Sequence, residues 1–484
     1  MRNSLQPIDK IAIALIILLT LVMVLLVSLG NACGNNCLFN TGARVSNFSW
    51  ENKTIGGEDQ AFLLTFNRPM DRTTVEKNLV VKPPLPGKIS WSGLRLAYTL
   101  KKPAPYGETY QVSLTQARDK FAAGNKQGQI MQPFVGKFYT RDRALVYIGS
   151  KGEENGRLVL FNWTQQRKTI LTPDNLTVFD FESYPKGDQL LFSAANKDSG
   201  VDGIRTLQLY TVTTGVDQDQ TDNFQPQLKL VLDNQKYQNN KFDLSQDGQT
   251  IVVQRISPDN ISEFGLWAIS ENKPPEALNN SPGGDFLITP DSQAVAVAQG
   301  EGIALLPLQP NAKPIDFLPK FGQVLSFSAD GSGAAMINYN TDNPKLRYTR
   351  SLFYVNNQGI QKELLNIKGS IIDCQFNPTA TSLYCLLTEP EIIGEEYLEK
   401  PYIAEIDLKT SKTTNLLSLP KYQDSKISIA PDGLSILFNQ ISSNDSEATS
   451  NLWLLIPSSS NSSNSAVYDA EPLPFIGFNP QWLP

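Results

Sequence analysis

The sequence predicts an all-β chain behind one membrane-spanning helix, and three observations predict it. They are an uncharged stretch of 19 residues from Ile11 to Leu29, short runs alternating apolar and polar residues between 43 and 140, and a strand-turn-strand signature that recurs six times after 141. The expected order is an N-terminal transmembrane helix, a β-sandwich, and a seven-bladed β-propeller closed by N- and C-terminal strands.

At about 1.5 Å rise per helical residue, the stretch IAIALIILLTLVMVLLVSL matches the roughly 30 Å hydrocarbon layer of a bilayer. A cleaved signal peptide is the competing reading, but its apolar region runs to only about 7 to 15 residues. Cys33 raises lipidation, yet Gly30, Asn31 and Ala32 precede it, without the Leu that a lipoprotein signal carries three places upstream. Arg2 and Lys10 lie before the helix and the first basic residue after it is Arg44, so the positive-inside bias places residues 1–10 in the cytoplasm. Residues 30–42 form a linker, and the bulk lies outside the cytoplasm, in a bacterial periplasm.

Residues 43–140 contain VSNFSW, AFLLTF, LVVKP, KISW, LRLAYTL, TYQVSLT and FVGKFYT, separated by Pro, Gly and Asn. Short alternating strands of this kind make a sandwich. Within them Phe66-Asn67-Arg68-Pro69-Met70-Asp71, Gly107 to Val112, Asp119 followed by Gly124-Asn125, and Phe138-Tyr139-Thr140 resemble the bacterial SbsA-type Ig-like domain over the whole segment. The resemblance implies a spacer or adhesion-type module without chemistry of its own. Trp50, Phe66, Trp91 and Tyr110 are expected to fill its core.

From 141 to 484 the repeats are FDFESYPKGDQLLF at 179, FDLSQDGQTIVV at 242, FLITPDSQAVAV at 286, LSFSADGSGAAM at 325, CQFNPTATSLYC at 374 and ISIAPDGLSILF at 427. Each pairs two apolar strands around a turn in which Pro presets φ and Gly or a small residue takes the tight position. Phase markers at Pro185, Gln246, Pro290, Ala329, Pro378, Pro431 and Pro480 are spaced by 61, 44, 39, 49, 53 and 49 residues. A blade takes about 40 to 50. Further strands, such as TLQLYTV then LKLVL, bring the count to four per repeat. Gly477 to Trp482 matches a first strand with no outer strands after it, while 144–172 supplies three strands lacking a first. Joined, the ends complete a seventh blade and remove the free edges. The PDG-type turns resemble the TolB-type propeller repeat, a resemblance that implies the fold and leaves function open, since the family includes periplasmic scaffolds and propeller domains of peptidases.

Composition excludes much chemistry. There is no histidine, which removes Ser-His-Asp and Cys-His catalysis and imidazole metal ligation. With 42 basic against 48 acidic residues the net charge is −6, so nucleic acid is not an expected partner. Of four cysteines, Cys33 and Cys37 are near enough to bridge locally or between chains. Cys374 and Cys385 lie symmetrically about Thr379-Ala380, facing each other across a hairpin either as a disulfide or as two small packed side chains.

The connections between second and third strands vary in length: 194–204, 256–264, 340–350, 388–400 and 441–450 are long, whereas 299–302 is short. Variable loops on one rim of a rigid scaffold are the usual place for binding. Lys345, Arg347 and Arg350 flank Tyr348 in one loop; Glu389, Glu391, Glu395, Glu396 and Glu399 surround Tyr397 in the next. The two loops either pair with each other as a solvated rim or face a ligand. Asp217, Asp219 and Asp222 invite a calcium reading, but the Gly and terminal Glu of a calcium loop are missing. No catalytic residue, metal or cofactor is expected. The expected function is a membrane-anchored binding scaffold whose partner is a cell-envelope protein or polymer. The alternative is a histidine-independent hydrolase or lyase acting on such a polymer through Asp180, Asp243 and Asp285 of the first strands. Their recurrence favours a structural role, capping turns or bonding neighbouring blades.

Overall fold

The computed structural model describes residues 13–24, 42–121, 128–216, 224–260, 262–271, 273–278, 284–300, 302–309, 316–393, 396–420, 426–442, 449–457 and 469–484. Residues 13–24 are helical. No helix among the described residues is long and apolar enough to cross a membrane, and this overturns the expected single-pass topology with its extracytoplasmic bulk. The rest of the expected span, residues 11–12 and 25–29, lies outside the described residues, as do Cys33, Cys37 and the acidic trio Asp217, Asp219 and Asp222.

Contacts divide the chain into two units. One holds the described residues through Thr54 with Gln60–Lys101 and Thr109–Tyr139; the other holds Ile55–Asp59, Lys102–Glu108 and Thr140–Pro484.

The first unit is built on two four-stranded sheets, antiparallel save where Thr54–Ile55 runs alongside Phe134–Thr140 in the same direction. Val45–Phe48, Ala61–Phe66, Arg95–Leu100 and Gly87–Ser92 make one, in that order, and Thr54–Ile55, Phe134–Thr140, Thr109–Leu114 and Leu79–Lys82 the other. The period of two in AFLLTF turns Phe62, Leu64 and Phe66 inward. Phe62 of one sheet and Phe138 of the other both pack on Trp50, with ring centroids 5.4 and 5.0 Å away. Trp50, Phe66 and Tyr110 are buried, but Trp91 is only half-buried, so it is not the core residue its spacing suggested. A helix, Arg72–Asn78, which the strand pattern did not announce, starts at Asp71, whose carboxylate accepts the Thr73 N–H.

The second unit repeats one motif, the four-stranded antiparallel meander of a propeller blade. Five such sheets follow in chain order, running from Leu176–Ser183 to Leu228–Leu232, Gln238–Leu244 to Glu276–Ala277, Phe286–Ile288 to Asp316–Pro319, Gln323–Phe327 to Gln361–Ile367, and Ile371–Phe376 to Thr413–Ser418. A sixth sheet has seven strands and is shared by both ends of the segment. Its longest strand, Asp469–Trp482, pairs early with Thr449–Ile456 and late with Ala144–Gly149, where Gly477 faces Gly149 and Trp482 faces Leu145.

Hydrophobic cores join each sheet to the next. Leu191 and Leu209 pack with Phe242 and Val253; Val252 and Leu266 with Phe286 and Val297; Ala296 and Ile303 with Val324 and Met336; Ile337 and Leu352 with Cys374 and Leu387; Leu386 and Ile403 with Ile436 and Phe438. The seven-stranded sheet packs within itself through Leu437, Leu452, Tyr147 and Val159. Val146, Ile148 and Leu160 then meet Phe181 and Leu190 of the first sheet, so the series of cores returns to its start. At about 1.5 to 3 kcal/mol per fully buried aliphatic or aromatic side chain, these cores are the main stabilising term.

Six tight turns set the phase of the repeats. The backbone N–H groups of Gly187, Gly248, Ser292, Gly331, Ala380 and Gly433 each donate to the carbonyl three residues back, over 2.7 to 2.9 Å. All six have positive φ, from 49° at Ala380 to 72° at Gly433. Glycine takes that conformation without strain, and Ser292 and Ala380 do so at some cost.

Candidate functional site

Counting back from each turn residue shows what the first strands present. Six places back stand Phe181, Phe242, Phe286, Cys374 and Ile427, all buried in the cores between sheets, and Leu325, which is half-buried. Because a strand alternates its faces, the residues five and seven places back lie on the opposite face. The seventh places hold Asp180, Lys241, Asp285, Asp373 and Lys426, with the buried Val324 as the apolar exception; the fifth hold Glu182, Asp243, Leu287, Ser326, Gln375 and Ser428. Asp243 therefore does not repeat Asp180 and Asp285 but takes the place of Glu182. The aligned residue in its own strand is Lys241.

First strands of successive sheets touch, and these polar side chains stitch them together. The Leu244 N–H donates to Glu182 Oε2 at 2.8 Å, and the Ile288 N–H donates to Asp243 Oδ2. Asp285 pairs with the Lys241 ammonium on one side and accepts from Gln323 Nε2 at 2.9 Å on the other. The Ile427 N–H donates to Asp373 at 3.3 Å, and Asn479 Nδ2 donates to Asp180 Oδ1 at 2.8 Å. Lys426 approaches the same Asp180 carboxylate at 3.3 Å. Asp180, Asp243 and Asp285 thus each bond groups on other sheets.

The electrostatics follow from this crowding. Burial, then the Asp243 and Asp180 carboxylates, push Glu182 well above the ordinary carboxylate range. Burial lifts Asp243 to about 6 against the pull of the Ile288 N–H and Lys241. Burial likewise raises Asp373. Burial alone pulls Lys426 down, but Asp180, Glu182 and Asp373 outweigh it and hold the ammonium above its usual range. Glu182, Asp373 and Lys426 were not singled out in the sequence. The signal that finds them is their distance from the turn residue. Among the described residues no group of three or more potential ligands is placed to hold a metal ion.

The rim residues behave differently. Residues 388–393 and 396–400 continue two long strands, Ser382–Ile393 and Glu396–Asp407, with Glu391 facing Leu398 and Ile392 facing Tyr397. They therefore form a ribbon where the sequence suggested a loop. Glu395 and the Glu396 side chain lie outside the described residues. Glu399 accepts from Thr388 Oγ1 at 2.6 Å and from the Tyr397 hydroxyl at 3.2 Å. Burial would raise its pKa, but these hydrogen bonds and the Arg350 charge hold it below the ordinary range. Arg350 also donates to the Gly369 carbonyl at 3.0 Å. The structure shows no ion pair joining Lys345 or Arg347 to the described glutamates. Cys374 and Cys385 are disulfide-bonded, at directly opposed positions of the hairpin on which the ribbon stands.

No protein-family model and no curated protein matches the chain. Among solved structures it is similar to TolB from Acinetobacter baumannii, at 10% identity over 84% of this chain and 83% of that one, with a TM-score of 0.41. It is similar also to an oligogalacturonate lyase from Vibrio parahaemolyticus, at 11% identity over 69% and 95% of the two chains (TM-score 0.44). A third is the periplasmic gluconolactonase PpgL of Pseudomonas aeruginosa, at 11% identity over 71% and 99% (TM-score 0.45). With every TM-score below 0.5, these likenesses say nothing about activity.

Proposed function

We propose that this chain is a binding scaffold. An SbsA-type Ig-like sandwich over 43–140 precedes a seven-bladed propeller over 141–484, in which the seven-stranded sheet supplies two blades that share Asp469–Trp482. The propeller captures a partner protein, or an envelope polymer, on the rim where second strands connect to third.

The supporting observation is the exposed apolar surface on that rim. Ile392 is 76% exposed, Tyr397 59% and Tyr348 83%. Large side chains presented on a projecting ribbon are what a partner buries, and aromatic residues dominate such contacts. Glu389 and Glu391 on the ribbon favour a partner with basic groups. The test is a pull-down with the full-length protein and with a Tyr348→Ser/Ile392→Ser/Tyr397→Ser variant. The variant should unfold at the same urea concentration and lose partners; identical partner lists would remove this face.

A second reading, a histidine-independent hydrolase or lyase, is favoured by one observation. Glu182 and Asp243 lie in a shared crowd of carboxylates and hold protons above the ordinary range. Neighbouring acids of unequal affinity are the equipment of acid-base catalysis. Their hydrogen bonds to the next sheet's backbone support the scaffold role instead. Turnover of an envelope polysaccharide that disappears in a folded Glu182→Gln variant would decide for the enzyme.

A further inference from the structure

The sandwich unit contains a cavity of about 930 Å³. Its walls are the Pro69–Thr74 segment, the strand bearing Trp91, and Arg118 to Lys120. Trp91 stacks on Phe66 with centroids 5.8 Å apart, and its indole N–H donates to Glu76 Oε1 at 2.9 Å, so the ring is held. The Arg72 guanidinium lies 5.6 Å from that ring's centroid. Arg118 donates through Nη1 to the Gly128 carbonyl at 2.9 Å and through its backbone N–H to Thr74 Oγ1 at 3.0 Å. Lys120 adds a third cation to the same walls.

Two acids, Asp71 and Asp119, line the same walls, and both already accept backbone N–H groups. Asp71 accepts the Thr73 N–H at 3.1 Å. The Asp119 side chain is 1% exposed, accepts the Gln129 N–H at 2.9 Å and pairs with Arg68 at 3.4 Å. Among the described residues no ion pair neutralises Arg72, Arg118 or Lys120. Three cations facing one concavity focus a positive field there, and two are guanidinium groups whose planes are braced by their surroundings. A guanidinium matches the paired oxygens of carboxylate and phosphate, and the volume suits a small organic molecule.

We propose that this cavity binds a small organic polyanion bearing two or more carboxylate or phosphate groups, with Arg72 and Arg118 as forks and Lys120 as a point charge. Calorimetric titration of the full-length protein at low salt, with citrate in one arm and pyrophosphate in the other, tests it. One-to-one binding of either anion is expected, and which one binds tells carboxylate from phosphate. Arg72→Gln/Arg118→Gln should weaken binding about tenfold or more, and Lys120→Gln alone should weaken it measurably without altering the unfolding midpoint. Lys88→Gln, at an exposed lysine of the same unit, should leave the affinity within about twofold. The proposal is overturned if neither anion binds, if the arginine and lysine variants bind like the parent, or if Lys88→Gln weakens binding equally.

Discussion

The Glu182 carboxylate accepts the backbone N–H of Leu244 at 2.8 Å, tying the first strand of one sheet to the first strand of the next. Asp243, at the same distance from its turn, repeats the contact one sheet further on with Ile288. A backbone amide at the inner edge of a sheet has no ladder partner on that side, and a carboxylate from the preceding sheet supplies one. These acids are therefore interlocks, and their crowding is a consequence of first strands converging.

Crowding makes stability depend on pH with a definite sign. Folding raises Asp243 to about 6, so the native state holds its proton more tightly than the unfolded chain does. Its stabilisation is complete below about pH 4 and is lost as pH rises through about 6. The stability of the parent relative to Asp243→Asn, measured by urea unfolding, should thus fall from pH 4 to pH 7. A difference that stays constant would show that Asp243 does not titrate in this window.

Trp482 is 6% exposed in the core shared with Tyr147 and Val159, and Arg143 lies 5.6 Å from its ring centroid. Trp482→Ala should cost about 3 to 5 kcal/mol by cavity formation. Among the described residues the indole nitrogen has no hydrogen-bond partner, so Trp482→Phe should cost clearly less. Equal losses would mean that the ring's shape is not what the site requires. Removing residues 477–484 should expose the Ala144–Gly149 edge and cause aggregation, read by light scattering during expression.

Arg255 is buried between two rings, 4.4 Å from the Tyr237 centroid and 5.1 Å from that of Trp267, and its Nε donates to Asn239 Oδ1 at 3.2 Å. Lysine keeps the charge but neither the plane nor that donor geometry. Arg255→Lys should therefore lose about 1 to 3 kcal/mol in chemical unfolding. A lysine variant as stable as the parent would show that charge alone suffices.

The Cys374–Cys385 disulfide closes an 11-residue separation. Chain-entropy arguments assign such a loop about 2 to 3 kcal/mol. Reduction should lower the urea midpoint accordingly, and Cys374→Ala/Cys385→Ala should be no more stable than the reduced parent. A midpoint unmoved by reduction would mean that packing alone carries this hairpin.

Much of the fold was legible because its signals are local. The turn at Tyr184 to Gly187 is written in four adjacent residues, and the inward set of AFLLTF follows from alternation alone. The repeat markers likewise located each first strand, and the fit of Gly477 to Trp482 with an incomplete set of strands at 144–172 is visible as their pairing. The site was less legible. Asp180 and Asp285 were read together with Asp243, although Asp243 aligns with Glu182. Trp91 was read as core, yet its ring lines a cavity, because aromatic spacing on a strand does not say what stands opposite. The apolar run from Ile11 to Leu29 predicted a span, while the described helix covers only 13–24.

By itself, then, the sequence determined strand phase, turn chemistry, the absence of imidazole chemistry and the facing of Cys374 with Cys385, since each depends on neighbours within a dozen positions or on composition. Tertiary structure decided which residues meet across sheets. Glu182 finds Leu244, 62 positions away, and Asn479 finds Asp180, 299 away. Arg72, Trp91 and Arg118 come to one cavity from a helix, a strand and an isolated bridge. The physical reason is that a polar side chain's meaning lies in its partners: burial and neighbouring charge set its protonation and its bonds, and only the closed arrangement of sheets places those partners within reach.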